Sequence, residues 1–158
     1  MNTAQLNSLL KKYIDRSKCT FLGVYARDTI PSQADLTHYP CAFISNTDSS
    51  RGSGKHWVAF YFISPEHLEF FDSFGRNYID YGFGKFSPMY PNLESVSFNN
   101  RQLQSNTSIL CGYYCLYFII FRSCGHALEH IINSFSFLDY NWNDSQVYKF
   151  YKRFLSHN

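Results

Sequence analysis

The 158-residue sequence is poor in excess charge: 14 lysines and arginines against 12 aspartates and glutamates leave a formal net charge of +2. A protein whose main work is to coat nucleic acid carries a larger excess, so only a local basic patch is open to that use. Long apolar runs are also missing. The longest, Tyr113 to Phe121, is too short to cross a bilayer, and no membrane partner is expected. The opening stretch, MNTAQLNSLLKKYIDR, lacks the apolar segment of a secretory signal, so the chain is not expected to be secreted. No repeat or low-complexity segment occurs, which removes solenoid and linker readings. Cysteine is scarce and odd in number: Cys19, Cys41, Cys111, Cys115 and Cys124. Without an export signal, five cysteines read as reduced thiols in a cytosolic or nuclear setting, not as a disulfide framework.

What is abundant is aromatic. Sixteen Phe and 13 Tyr, within a hydrophobic content of 45%, exclude disorder over most of the length and point to a dense ring-filled interior. The length suits a single domain over residues 1–158. Leu6, Leu9, Leu10 and Tyr13 recur at helical spacing after the cap candidates Asn2 and Thr3. FLGVYARD reads as a short strand or bend, CAFISNT as a strand and DSSRGSGK as a glycine-rich loop. HWVAFYFI and LEFFDSF, separated by the turn SPEH, read as a hairpin. GRNYIDYGFGKFSPMYPN reads as mixed and partly loop. Cys111–Ser123 predicts a central buried helix stopped by Gly125 and preceded by capping candidates from Ser105 to Ser108. HALEHIINSF predicts a further helix, and Val147, Phe150, Tyr151 and Phe154 a last one. The predicted class is α+β, a small antiparallel sheet packed against helices.

The stretch LQSNTSILCGYYCLYFII carries the chemistry. Two readings compete for it. Cys111, Cys115, His126 and His130 can be written C-x3-C-x10-H-x3-H, close to a zinc-finger spacing, which would make the chain a zinc-stabilised nucleic-acid-binding module. Against this, the interval LYFIIFRSCG is core-like, while zinc fingers need metal because they lack a core. The other reading takes Cys111 as a nucleophile at a helix start, where unpaired N–H groups favour thiolate, with Gly112 letting a substrate backbone come close. It needs a base and an orienter. A three-residue hairpin loop centred on Ser64 would set His56 opposite Asp72 on one face of the sheet. Gln104, seven residues before Cys111, offers a side-chain amide to an oxyanion beside the Cys111 backbone N–H.

GKHWVAFYF, FFDSFG and LQSNTSILCGYYC, in that order and with FLGVYARD and CAFISNT upstream, resemble the adenovirus protease (adenain) family over about Phe21 to Phe121. The same superfamily contains the SUMO proteases. The resemblance implies a papain-like cysteine peptidase in reversed chain order. It implies His56 as base, Asp72 as orienter, Gln104 as oxyanion donor and Cys111 as nucleophile, with Trp57 lining the groove beside His56. It implies protein or polyprotein substrates of a virus or virus-like element, cut at glycine-containing sites, and a place in a host nucleus or cytoplasm or within a virion. A SUMO or ubiquitin deconjugating protease is the related alternative. Two departures stand out. Asp72 replaces the usual adenoviral Glu, as in the SUMO proteases. No cysteine lies between Cys41 and Cys111 to anchor a disulfide-linked activating peptide. No bound cofactor or metal is therefore expected, and any activator is expected to be non-covalent: a peptide, or DNA at Lys11, Lys12, Lys149, Lys152 and Arg153. A monomer is expected.

Overall fold

The computed structural model describes residues 1–84 and 86–155, with backbone only at 87, 154 and 155. Asn2 opens α1 (Thr3–Tyr13) with a reciprocal capping box to Gln5, which satisfies two of the helix's orphan donors. The Leu6, Leu9 and Leu10 stripe is buried. Then follow β1 (Thr20–Tyr25), β2 (Cys41–Asn46), β3 (Trp57–Ser64), β4 (His67–Phe71), the short α2 (Phe86–Met89), β5 (Ser95–Phe98), α3 (Cys111–Ser123), α4 (Leu128–Asn133) and α5 (Tyr140–Leu155). The Phe154 side chain, expected to continue the last apolar stripe, lies outside the described residues. Among the described residues no helix is long and apolar enough to cross a membrane.

The class is α+β. The strands form one sheet in sequence order, β1-β2-β3-β4-β5. Its centre, β2 to β4, is antiparallel as the hairpin pattern predicts. Both edges are added in parallel, β1 to β2 and β4 to β5, so the sheet is mixed. SVSF, which forms β5, is too short and too polar to announce itself as a strand.

The apolar run in β3 has partners on both sides. Ala59 and Tyr61 face a core built with α1, α3 and α5, around Leu6, Leu10, Tyr114, Phe118 and Ile119. Val58, Phe60 and Phe62 face a second core closed by Phe83, Phe86 and Tyr90, from a segment with little regular structure. Burial on both faces removes the polar alternation of a one-sided strand.

α3 is held end to end. At its C-terminal end Arg122 forks onto the buried Glu69 of β4 through Nε and Nη2, and stacks over Tyr61. Its N-terminal end, Cys111, is presented at the end of the sheet where the central strand β3 begins.

Candidate active site

Cys111 is the first residue of α3. Its N-cap, Leu110, makes no side-chain cap bond. The serines expected to cap the helix do not: Ser108 Oγ accepts from Leu110 N at 3.2 Å, one turn too early. The Tyr113 and Tyr114 N–H groups turn back to the Leu110 carbonyl, so the Cys111 and Gly112 N–H groups are the ones left for whatever lies at the thiol. Cys115, one turn inside, is fully buried.

His56 sits immediately before β3, its carbonyl accepting from Thr47 N at 2.8 Å. Asp72 follows directly on β4. The hairpin register differs from the expected one. Ala59 pairs with Phe71 and Phe60 with Phe70, with a bulge between Phe62 and Ser64. Continued by a residue, this sets Asp72 level with Val58 and not with His56. A shift of two residues keeps both side chains on one face, and the imidazole reaches diagonally. His56 Nε2 lies 2.6 Å from Asp72 Oδ1.

Asp72 is wholly buried and surrounded by donors. Besides His56 it accepts from Phe74 N at 3.0 Å, Arg76 N at 2.9 Å and the Tyr81 hydroxyl at 2.9 Å. The turn that aims those backbone groups depends on Gly75, at φ +70°. A Cβ there would lie 2.4 Å from the Arg101 carbonyl carbon. Asn99 clamps the Asp72 backbone, accepting from its N–H and donating to its carbonyl.

With Nε2 committed to Asp72, the other ring nitrogen serves Cys111. Burial opposes charge on both His56 and Cys111. The Asp72 carboxylate and the Cys111 sulfur outweigh it and push His56 up to about 9. Bonding from the His56 ring, its charge, and backbone bonds at Trp57 and Gly112 hold Cys111 below the ordinary thiol value. Both shifts favour the imidazolium–thiolate form of the pair. Burial pushes Cys115 the opposite way, well above an ordinary thiol, and the charges of Cys111 and Asp72 add to it.

Gln104 is buried and fixed. Its Oε1 accepts from Ser73 Oγ at 2.6 Å, which turns the amide nitrogen toward the Ser108 carbonyl at 2.8 Å. One of the two Nε2 hydrogens is used there and the second remains to donate. Ser73 O also accepts from the backbone N–H of Leu103 and Gln104. His56, Trp57, Gln104 and Cys111 line one groove of about 740 Å³, whose opposite walls come from Met1 to Thr3 and the 49–55 loop. Trp57 is held there by its indole N–H, which donates to the Met1 carbonyl at 3.2 Å.

Gly112 does not line that groove. A Cβ there would meet Trp57 Cδ1 at 3.2 Å and Met1 Cβ at 3.4 Å. Its missing side chain admits the indole and α1.

The zinc spacing does not become a site. Cys111 and Cys115 lie in the first turns of α3, and His126 and His130 lie beyond its far end. At 1.5 Å per residue the pairs are on the order of 15 Å apart. Among the described residues no group of His, Cys, Asp and Glu converges on a common point.

Three residues here went unread in the sequence: Tyr81, Asn99 and Ser73. Tyr81 ends a 3-10 turn over Tyr78–Tyr81 in the stretch read as loop, and its ring lies 5.7 Å from that of His56. Burial and then the neighbouring Asp72 carboxylate hold its phenol well above the ordinary tyrosine value, so it stays a donor. Only the density of tyrosines in GRNYIDYGFG hinted that this segment packs.

No family model matches the sequence, and no curated protein matches it. Solved structures match it in shape. The pS273R protease of ASFV superposes with a TM-score of 0.57 and 19% identity over 95% of this chain, which spans 65% of that protease. The central domain of the uncharacterized Lpg1148 protein from Legionella pneumophila superposes with a TM-score of 0.55 and 14% identity, covering 99% of this chain and 98% of that domain. At these identities the likeness is one of fold.

Proposed function

We propose that this chain is a cysteine endopeptidase in which Cys111 is the nucleophile, His56 the acid and base, Asp72 its orienter and Gln104 the oxyanion donor. One observation carries the reading: a buried imidazole bonded on one side to a fully buried carboxylate, and on the other to a helix-start thiol, in a groove also lined by a fixed amide. The Cys111 thiolate attacks a peptide carbonyl, whose π electrons move to oxygen. The second Nε2 hydrogen of Gln104 and the Cys111 backbone N–H bond that oxygen. His56 gives its proton to the leaving nitrogen as the C–N bond breaks, and a thioester remains on Cys111. Neutral His56 then takes a proton from water, the hydroxide attacks the thioester, and the thiolate leaves.

The sequence resemblance and the fold shared with an ASFV protease support precursor proteins of a virus or virus-like element as substrates, cut at glycine-containing sites. The reading needs no metal or bound cofactor. A peptide, or DNA at Lys11, Lys12, Lys149, Lys152 and Arg153, would act as a non-covalent activator. α1 and α5, which carry those five residues, both pack against α3.

The test is turnover of internally quenched glycine-containing peptides in excess reductant. Native protein is expected to cleave them, and Cys111→Ala to lose at least about a thousandfold in rate with its fold intact. Activity surviving that substitution would overturn the assignment. Efficient labelling by a glycine-ending ubiquitin-like vinyl sulfone would redirect it to a deconjugating enzyme.

A further inference from the structure

A second cavity, of about 830 Å³, opens beside His56. It shares His56, Lys55 and Phe74 with the first groove, but neither Cys111 nor Gln104 lines it. That asymmetry gives a substrate a direction. The carbonyl under attack must lie between Cys111 and Gln104, in the first groove. The nitrogen that leaves must lie at His56, the group that protonates it. A chain followed from carbonyl to amine therefore passes from the first groove across His56 into the second cavity.

The second cavity has a distinct charge. Arg27, Lys55 and Arg76 line it against a single carboxylate, Asp80. None of the three cations enters an ion pair among the described residues, whose two pairs are His56–Asp72 and Arg122–Glu69. They are also rooted. The Arg27 guanidinium donates to the Tyr81 carbonyl at 3.1 Å. The Arg76 backbone N–H is bonded to Asp72, and the Lys55 N–H to Asn46 Oδ1 at 3.0 Å. Three cations against one anion form a concentrated positive field in a chain whose overall charge is nearly balanced.

Resting on the peptidase reading above, we infer that this cavity receives the residues downstream of the scissile bond and selects acidic side chains there. A carboxylate within a few Å of two such cations at a solvated surface gains about five- to tenfold in kcat/KM over a neutral side chain, and a basic one loses about as much.

The experiment is digestion of a proteome-derived peptide library, with the cleaved ends identified by mass spectrometry. Native protein is expected to show Asp and Glu enriched about fivefold within the first few positions downstream of the cut. That enrichment should shrink in about 0.5 M salt. The variant Arg76→Glu, an exposed position that lines the second cavity but not the first and whose backbone bond to Asp72 persists, should abolish the acidic preference downstream and leave the upstream preference unchanged. Cleavage with a flat downstream profile, or an acidic preference untouched by the reversal, would overturn this inference and leave the peptidase reading standing. No cleavage by the native protein would overturn both.

Discussion

The two faces of the sheet are buried by different means. On one, α1, α3 and α5 lay regular helical stripes on Ala42, Ile44, Ala59, Tyr61 and Phe71, and Phe118 stacks on Phe71 at 4.6 Å. On the other, Phe43, Phe60, Phe62 and Phe70 are covered by rings from irregular chain, with Phe83 edge-on to Phe60 at 5.2 Å and Tyr90 tilted on Phe62 at 5.0 Å. The helical face presents Cys111. The irregular face sends Tyr81 to Asp72. The site lies at the edge where they meet, so the thiol depends on regular structure and the acid on aromatic packing that has none.

Asp72→Asn should break this division most severely. Four donors converge on the carboxylate, and an amide offers one acceptor oxygen and brings donors of its own. Turnover should fall about 10²- to 10⁴-fold, with stability down by about 2–5 kcal/mol, read by peptide kinetics and chemical denaturation.

Core truncations compare the faces directly. Phe118→Ala should cost about 3–5 kcal/mol, since α3 and β4 leave a cavity that cannot close. Phe83→Ala should fall at or below the lower end of that range, because irregular cover collapses more readily than a helix. Denaturant midpoints measure both, and equal losses would show that the irregular face is as rigid as the helical one.

pH separates the thiol from exposure. Cys124 is exposed, whereas Cys111 is half-buried but lowered in pKa by the His56 ring. Near pH 6, iodoacetamide should modify Cys111 about tenfold faster than Cys124, read by peptide mapping. His56 is raised, so its proton is present at low pH and lost as pH rises through about 9. Cys111 is depressed, so its thiolate is present at high pH and lost as pH falls through its lowered value. Turnover should therefore decline on the alkaline side near pH 9 while alkylation continues, the two limbs belonging to the pair.

Tyr81→Phe is the mildest probe. It removes one bond to Asp72 and keeps the ring. A loss of about tenfold in kcat with KM little changed is expected, from roughly 1.5 kcal/mol for a hydrogen bond to a charged group. An unchanged kcat would mean that the irregular face supplies packing alone.

The helical face was legible in the sequence because its physics is local. Leu6, Leu9 and Leu10 recur at the helical period, Cys111–Ser123 lacks a breaker, and the His56, Asp72, Gln104 and Cys111 types stand at readable spacings. The hairpin register differs from the expected one by two residues, because Ser64 pairs with His67 and the loop falls on Pro65 and Glu66; that displaces the pairing by three residues, and the bulge between Phe62 and Ser64 takes one back. An even slip preserves the face, which is why the His56–Asp72 pairing held. Asn99 and Ser73 were not legible, because each works through a partner 27 or 31 residues away, and Tyr81 stood among several tyrosines of one stretch with nothing to single it out. Phe83, Phe86 and Tyr90 do stand at helical spacing, but Gly82, Gly84, Pro88 and Pro91 break the stretch, and of its described residues only the single turn Phe86–Met89 is α-helical.

Asp72 and Ser73 are adjacent, yet they speak for opposite ends of the groove. Asp72 fixes His56, and Ser73 fixes Gln104 through its hydroxyl and its carbonyl. Drift at this dipeptide would therefore disturb His56 and Gln104 together. A lineage that replaced Ser73 would have to revise the 99–104 segment in the same period, or pass through an intermediate with both arms loosened. Across descendants of this chain, positions 72–73 and 99–104 should change as one heritable block.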